Sequence, residues 1–523
     1  MDNTRIAKSA FSMSLVTFIS RIFGLVREWL RGYLLGTSWA SDAFSIAFMF
    51  PNLLRRLVGE GALTAAFIPV FSDYLHKKNK KERDHFISSF FTVDFLFLVS
   101  IVVITIIFAP LLKFFLPEFT EVPGKIELTV FLTRLMFPYI FLISLAALTQ
   151  AILNAYRIFV PSATTPILLN ISIITIGLLF GTRLRNPAIA LGIGVLAGGV
   201  LQLGFQMPFL LKKNITYSFE LDFTNPGVKK VFFLMIPGAI GAGVYQINAL
   251  VSYFIAATLE GGSVAALRFS NTLVEVVLGV FVISISTVIL PVLSEKSTRG
   301  DTGGMKQHLN FAFRLVFLIT IPSTVGFLVL RFPIINMLFK YGRFGSESAH
   351  MVAYALIFHS LGLVGIGGTR LLVQLFYSMK DTRTPVYIAA LAMAVNLALC
   401  YLLSGPLRLG GIALAATISA YVNFLLLLVV AVNRLGRIID RKVMVCFGKS
   451  IVAALCMAVV LYFALQGLSS LMEERKLYMV VFTLVLLAVG VVVFFFMNIV
   501  LKNYDVVELK NILLKKLGLS SKP

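Results

Sequence analysis

The sequence is short of the residues on which enzymes and metal sites depend. Its three cysteines (Cys400, Cys446 and Cys456) and five histidines are scattered over 523 residues, without the spacing of metal ligands or of a disulfide framework. No nucleophile with a neighbouring base and no phosphate-binding loop stands out. We therefore expect neither enzymatic activity nor a bound cofactor.

Charge is scarce as well, because Asp, Glu, Lys and Arg together make up only 13% of the residues. Hydrophobic residues make up 58%, and the mean hydropathy is +0.92. A water-soluble chain could not bury this much apolar surface, whereas a bilayer can. The net charge of +22 does not indicate nucleic-acid binding, because the basic residues lie mainly in loops between apolar runs, where they suit anionic lipid headgroups.

The apolar runs predict an all-α polytopic membrane protein with about 14 transmembrane helices, since the runs are too long and continuous for barrel strands. The predicted spans are residues 8–34, 40–74, 86–110, 127–153, 162–181, 187–211, 229–258, 264–294, 309–330, 347–377, 384–404, 410–433, 446–466 and 477–501.

Basic residues are distributed unevenly between the two sides of these spans. With the N-terminus in the cytoplasm, and with basic residues at span ends counted in the adjoining loops, the cytoplasmic segments hold 27 Lys and Arg and the opposite loops hold 10. The positive-inside rule therefore favours an even number of spans with both termini cytoplasmic.

The chain also contains an internal repeat. FIPVFSDYL (67–75) resembles ILPVLSEKS (289–297), TTPILLNISII (164–174) resembles RTPVYIAALAM (383–393), and LGIGVLAGGVLQL (191–203) resembles LGGIALAATISAY (409–421), each at an offset of about 220 residues. Six spans separate the copies, so we expect two parallel six-helix lobes around a central cavity. The predicted division is an N-terminal lobe 1–212, a C-terminal lobe 213–440, an extra helix pair 441–503 and a cytoplasmic tail 504–523.

Apart from Lys8, Lys229, Lys230 and Lys449, which are counted in the loops because they lie at span ends, nine basic residues fall inside the predicted spans. All nine are arginine: Arg21, Arg27, Arg31, Arg55, Arg56, Arg134, Arg268, Arg314 and Arg370. An arginine at mid-membrane costs at least ~2.5–3.5 kcal/mol, so several together need compensation. Arginine binds phosphate and carboxylate oxygens with a planar fork, which lysine lacks. The set therefore points to an anionic ligand. We interpret Arg31, Arg314 and Arg370 as snorkelling residues near span ends.

Four acids accompany the arginines: Glu28, Asp42, Glu60 and Glu275. The plainest interpretation of each is an ion pair that holds an arginine in place. In the eighth span Arg268, Thr272 and Glu275 recur at i, i+4 and i+7, so they share one helix face, which we expect to line the cavity. Pro51, Pro69 and Pro291 are predicted helix breaks, the last two ending their helices.

Six segments resemble the MurJ (MviN) family, the bacterial lipid II flippases of the multidrug/oligosaccharidyl-lipid/polysaccharide exporter superfamily. They are SRIFGLVRE (20–28), SDAFSIAFMFPNLLRRLVGEGALTAAFIPVFSDY (41–74), FPYIFLISLAALTQAILN (137–154), ILPVLS (289–294), YGRF (341–344) and DTRTPV (381–386). The resemblance extends from residue 8 to about residue 435 and is weaker over the last two spans. It implies fourteen spans, two six-helix lobes, a final helix pair that forms a groove for the lipid tail, and a place in the bacterial cytoplasmic (inner) membrane.

The resemblance also implies site residues. Arg21, Arg27 and Arg55 would contact the pyrophosphate or the head group of lipid II, and Asp42 and Glu60 would be functional acids. Related members carry a further cavity arginine where this chain has Thr272, and Arg268 lies one turn earlier on the same face. Some members bind sodium with acids in spans seven and eleven. The comparable residues here are Asn248, Asn396 and Cys400, without a carboxylate, which argues against a sodium site.

These observations favour a flippase that moves lipid II, an anionic polyprenyl-pyrophosphate lipid, across the membrane by alternating access for cell-wall biogenesis. Membrane potential or a cation could drive it. Two alternatives stay open: an exporter of another polyprenyl-linked saccharide or of a drug, and a non-transporting scaffold that recruits cell-wall synthesis proteins. A cation exporter would carry acids rather than arginines in its cavity, which disfavours it. The predicted substrate-binding residues are Arg21, Arg27, Asp42, Arg55, Arg56, Glu60, Arg268, Thr272 and Glu275.

Overall fold

The computed structural model describes residues 3–55, 63–156, 158–215 and 217–503. These residues fold into helices joined by short connections, and no β-strand occurs among them. The α-helices are α1 (Asn3–Leu35), α2 (Trp39–Leu54), α3 (Leu63–Lys77), α4 (Lys80–Phe108), α5 (Leu112–Phe115), α6 (Pro117–Glu121), α7 (Lys125–Met136), α8 (Tyr139–Ala155), α9 (Val160–Phe180), α10 (Pro187–Leu211), α11 (Pro226–Ala257), α12 (Ser263–Val277), α13 (Ile283–Thr298), α14 (Thr302–Phe339), α15 (Ser346–Leu361), α16 (Leu363–Ser378), α17 (Arg383–Leu435), α18 (Arg441–Glu474) and α19 (Lys476–Val500).

Most of these helices are apolar enough to cross a membrane. Over the described residues, eight helical stretches are long and apolar enough, and the pair α15 and α16, bent by 44°, raises the number to nine. Two shorter apolar segments, Thr164–Phe180 and Gln246–Ala257, coincide with predicted spans. The prediction of an all-α polytopic membrane protein is confirmed, and the count of 14 spans stays a prediction.

The longest helix, α17, contains two predicted spans. Its backbone leaves helical geometry at Arg408 (φ 45°, ψ −126°), two residues after Pro406. Proline lacks an N–H and its ring clashes with the preceding turn, so a break at this point is expected. The break lies between the predicted spans 384–404 and 410–433 and therefore separates them.

The prediction that Pro69 and Pro291 end their helices is wrong. Pro69 lies inside α3 and Pro291 lies inside α13, and both helices continue for two turns. A proline removes one backbone hydrogen bond, which a helix can absorb as a bend without ending. Pro51 likewise lies inside α2, three residues before that helix ends.

The chain divides into two compact units. The first comprises Met1–Ala265 with Tyr341–Gly345, and the second comprises Ala266–Lys340 with Ser346–Pro523. The boundary falls within α12, so the predicted lobe boundary at residues 212 and 213 stays a prediction.

Close helix packing builds the first unit around α1, α2 and α7–α10. A Cβ atom at Gly194 of α10 would lie 2.7 Å from the Cα of Ile173 on α9, so only glycine allows this approach. Large buried side chains of α1 and α8, such as Leu30 and Tyr139, complete the core. This packing fixes the face of α1 that carries the arginines.

In the second unit α18 and α19 pack against each other and against α14. Gly490 of α19 is the point of close approach, because a Cβ there would lie 3.2 Å from Leu461 of α18. The outer faces of the pair expose large apolar side chains, among them Val491 and Phe496. An apolar exposed face of this kind suits a helix surrounded by lipid.

Candidate functional site

Two arginines and one glutamate form an ion cluster on α1. Glu28 lies between Arg27 and Arg31: its Oε1 is 2.9 Å from the Arg27 Nη2 and its Oε2 is 2.9 Å from the Arg31 Nη2. The spacing of Glu28 and Arg31 (i, i+3) places both on one helix face. The interpretation of Glu28 as an acid that holds an arginine in place is confirmed, and it holds two.

The interpretation of Arg31 as a snorkelling residue is wrong. Arg31 is only 2% exposed, and its Nη1 donates a hydrogen bond to the Oγ of Ser45 on α2 at 2.8 Å. Ser45 in turn donates to the carbonyl of Ser41 at 2.7 Å. Arg31 therefore binds an acid and a hydroxyl inside the protein and does not extend to the membrane surface.

The other arm of Arg27 is held by α9. The Arg27 Nη1 donates to the Oδ1 of Asn170 at 3.0 Å, and the Asn170 Nδ2 donates to the carbonyl of Ser20 at 3.3 Å. Asn170 was not among the predicted site residues. The available signal was a lone amide in the apolar run TTPILLNISII, which sequence reasoning used only as a repeat marker.

These contacts hold the Arg27 side chain in one position. Asn170 and Glu28 occupy its two Nη groups, while the side chain keeps 23% of its exposure. The cluster has one excess positive charge, because Glu28 neutralises only one of the two arginines. Arg21, six residues earlier on α1, is half-buried. A fixed, partly exposed guanidinium with excess positive charge is suited to phosphate or carboxylate oxygens.

Asp42 has a different partner from the one predicted. It is 1% exposed and pairs with a lysine, the Nζ of Lys125 at 3.2 Å, rather than with an arginine. Its Oδ2 also accepts the N–H of Gly262 at 2.7 Å, and its Oδ1 accepts the N–H of Ala265 at 2.9 Å. Asp42 therefore satisfies the N-terminal turn of α12, where helix N–H groups have no partner in the helix itself.

Lys125 is the buried lysine that the sequence pattern missed. It is 3% exposed and lies at the first residue of α7, two residues outside the predicted span. Besides Asp42, its ammonium lies 3.8 Å from the centroid of the Phe119 ring. Lysine is thus absent from the interiors of the predicted spans, but it is present among the buried charged residues of the first unit.

Of the predicted residues Arg55, Arg56 and Glu60, the structure describes Arg55. Arg55 follows the last residue of α2, and its Nη2 donates to the Oδ1 of Asn52 at 2.9 Å. Arg55 is half-buried. Arg56 and Glu60 lie outside the described residues.

The predicted stripe on the eighth span belongs to the second unit. Arg268 and Thr272 are half-buried, and the Thr272 hydroxyl donates to the Arg268 carbonyl at 2.9 Å. Glu275 is exposed and accepts a hydrogen bond from Asn271 at 3.3 Å. The three residues lie on one helix as predicted, whereas their role in lining a cavity stays a prediction.

The remaining span arginines differ in environment. Arg134 is exposed, and its Nε donates to the carbonyl of Ile106 at 3.0 Å. The guanidinium of Arg314 is 5.9 Å from the centroid of Phe311. Arg314 and Arg370 are half-buried, and their interpretation as snorkelling residues stays a prediction.

The fold and the arginine cluster define a polytopic membrane transporter. A multidrug-resistance MATE transporter of the MOP superfamily in an inward-facing conformation has a TM-score of 0.68 at 14% identity, with 81% of this chain and 98% of that chain covered. At this identity the similarity shows the fold alone. A lipid II flippase MurJ in an inward closed conformation is nearer, with a TM-score of 0.79 at 28% identity over 94% of this chain and 98% of that chain.

The family model for the lipid II flippase MurJ matches residues 32–486. A probable lipid II flippase MurJ from Vibrio cholerae is 35% identical over 81% of this chain and 82% of that protein. One from Rickettsia prowazekii is 31% identical over 95% of this chain and 98% of that protein. The chain therefore belongs to the MurJ family, which is named for a transport activity.

Proposed function

We propose that this chain is a lipid II flippase, which moves the undecaprenyl-pyrophosphate-linked peptidoglycan precursor from the cytoplasmic to the outer leaflet for cell-wall biogenesis. The observation that carries the proposal is the Arg27 guanidinium, held by Asn170 and Glu28 and still partly exposed. A pyrophosphate has the oxygen geometry that a fixed guanidinium binds. Membership of the MurJ family supports the choice of substrate.

The site residues divide into two roles under this proposal. Arg21, Arg27 and Arg55 contact the pyrophosphate or the head group, since each is at most half-buried. Glu28 and Arg31 hold Arg27 in place, whereas Asp42 holds Lys125 and the start of α12. For Arg56, Glu60, Arg268, Thr272 and Glu275 we retain the substrate-binding role that the sequence predicts.

Transport proceeds by alternating access in this proposal, with both termini in the cytoplasm of a bacterial cell. The head group enters a site lined by arginines while the polyprenyl tail stays against α18 and α19, whose exposed apolar faces support this role. A membrane potential that is negative inside favours the return of the emptied, positively charged site to the cytoplasmic side. Each charge that crosses the full field contributes roughly 2.3 kcal/mol per 100 mV.

The test is rescue of cells depleted of this protein, with lipid II exposed on the outer surface as the measurement. We expect wild type to restore it, and Arg27→Ala to abolish it because the fixed guanidinium is gone. Arg27→Lys should restore little, because an ammonium group cannot bind Asn170, Glu28 and a phosphate with one planar fork. Asn170→Ala should reduce the rate in part.

Arg134→Ala is the matched control, because Arg134 is exposed and its recorded bond is to a backbone carbonyl. It should rescue as wild type does. Full rescue by Arg27→Ala would contradict the proposal. A chain that tolerates Arg27→Ala but fails when the basic loop 76–85 is neutralised would instead be a scaffold for cell-wall synthesis proteins.

A further inference from the structure

Asp94 is a buried carboxylic acid on α4 that is not part of the proposed lipid-binding site. It is only 2% exposed. Phe90, one turn before it, and Leu98, one turn after it, are almost fully buried and belong to two separate apolar clusters of the first unit. A single carboxyl group thus interrupts an otherwise apolar helix face.

Asp94 lacks the compensation that buried acids normally have. Among the described residues its Oδ2 has no hydrogen-bond partner, and no ion pair reaches it. The titratable group that faces it is the phenol of Tyr217. Of the charged groups described on the helices packed against α4, Asp73 pairs with Lys77 and Lys230, Lys125 pairs with Asp42, and Arg134 donates to the Ile106 carbonyl. The others, His76, Glu127 and Lys229, are exposed.

A second unpartnered polar group lies on α8, which packs against α4. Ser144 follows Ile140 of one apolar cluster by four residues and precedes Ala147 of the other by three. Its hydroxyl is buried and has no hydrogen-bond partner among the described residues. Two helices in contact therefore each place a polar group, without a protein partner, between the same two apolar clusters.

The segment between α10 and α11 covers this position. Tyr217 stacks on Phe91 with a centroid distance of 4.4 Å, and its hydroxyl lies 2.8 Å from the Oγ1 of Thr149. The segment is fastened to α4 at two points nearby. The Ser218 hydroxyl lies 2.7 Å from the Ser88 hydroxyl, and the N–H of Glu220 donates to the Thr92 Oγ1 at 2.9 Å.

A proton is the ligand that this environment fits. An ionised carboxylate without a partner in an apolar interior costs several kcal/mol, and one proton removes the charge. A metal cation such as calcium needs roughly six to eight oxygen ligands. Over the described residues no group of three His, Cys, Asp or Glu could hold a metal ion.

We propose that Asp94 is a proton-binding site of the transport cycle, covered by Tyr217 while it is protonated and opened to water when the segment at residues 217–222 moves away from α4. One proton from water joins one carboxylate oxygen, the charge changes from −1 to 0, and no other bond forms or breaks. The link to transport rests on the flippase function proposed above, whereas the binding of the proton does not.

Infrared spectroscopy of the purified protein tests the proton site directly. We expect a carboxylic-acid C=O band in wild type that is absent from Asp94→Asn and retained in Asp94→Glu. Asp73→Asn is the matched control, since Asp73 is an exposed, ion-paired carboxylate, and it should keep the band. The proposal is overturned if the band is absent from wild type or persists in Asp94→Asn.

Transport in proteoliposomes tests the coupling. At a fixed membrane potential, we expect an imposed pH difference to change the rate at which wild type flips lipid II, and we expect Asp94→Asn to flip it without this response. An unchanged pH response in Asp94→Asn, or a response to sodium in place of pH, would overturn the coupling. A wild type that flips no lipid II, with the infrared band intact, would instead refute the flippase function.

Discussion

Two acids of the first unit, Asp42 and Asp94, are buried to nearly the same degree but differ in the polar groups that surround their carboxyl groups. Asp42 is 1% exposed and has an ammonium group and two backbone N–H groups around its oxygens. Asp94 is 2% exposed, and its Oδ2 has no partner among the described residues. The first carboxylate is stabilised in its charged form, and the second only as a neutral acid.

The difference teaches that burial alone does not identify a functional acid. Asp42 belongs to the family motif SDAFSIAFMFPNLLRR, yet in this structure both of its oxygens are committed to α12 and to Lys125. Glu28 resembles Asp42, because two arginines share it. Asp94 is the exception, so it is the acid whose protonation can change without breaking an ion pair.

The largest effect is expected for Asp42→Ala. The substitution leaves Lys125 buried with a charge but no carboxylate. It also removes the acceptor for the N–H groups of Gly262 and Ala265 at the start of α12. A broken buried ion pair costs about 3–5 kcal/mol. We expect a large fall in the thermal unfolding midpoint of the purified protein in detergent.

The double substitution Asp42→Ala with Lys125→Met serves as the control for this prediction. It removes the stranded charge, so it should regain much of the lost stability. If Asp42→Ala unfolds at the wild-type temperature, the contacts of Asp42 do not stabilise the fold, and its contrast with Asp94 is contradicted.

The sequence predicted the helical fold because the apolar runs carry that information locally. The break at Arg408 was predictable for the same reason, since Pro406 interrupts the run. Arg31 was misassigned because its position near a span end says nothing about Ser45, which reaches it from another helix. Partners that are distant in sequence, such as Asn170 for Arg27 and Lys125 for Asp42, could not be read from spacing.

An intermediate effect is expected for Asp381→Asn, which extends the comparison to an acid outside the membrane. Asp381 accepts the N–H groups of Arg383 and Thr384 at the start of α17 and forms an ion pair with Arg434 at its end. Partial burial raises the pKa of Asp381, but hydrogen bonds from Thr384 and Arg434 outweigh it and hold the pKa at about 2, below the ordinary value of 3.8.

Because the folded-state pKa of Asp381 is depressed, its stabilisation is present above pH 3.8 and is lost as the pH falls toward about 2. We expect Asp381→Asn to lower stability by about 1–2 kcal/mol at neutral pH, through the weakened cap and the lost ion pair. The measurement is the unfolding midpoint of both proteins against pH. A difference that stays constant down to pH 2 would show that the carboxylate charge is not its cause.

The smallest loss of stability is expected for Asp94→Asn. An amide matches a protonated carboxyl group in shape and neutrality, so below about pH 4, where Asp94 is protonated in both the folded and the unfolded chain, the substitution should change stability by less than about 1 kcal/mol. At higher pH the unfolded chain releases the Asp94 proton whereas the folded protein retains it, so wild type should lose stability relative to Asp94→Asn. The measurement is again the unfolding midpoint against pH, with Asp73→Asn as the exposed control. Equal losses in wild type and Asp94→Asn as the pH rises above about 4 would remove the distinction between Asp42 and Asp94, because the folded protein would then hold no proton on Asp94.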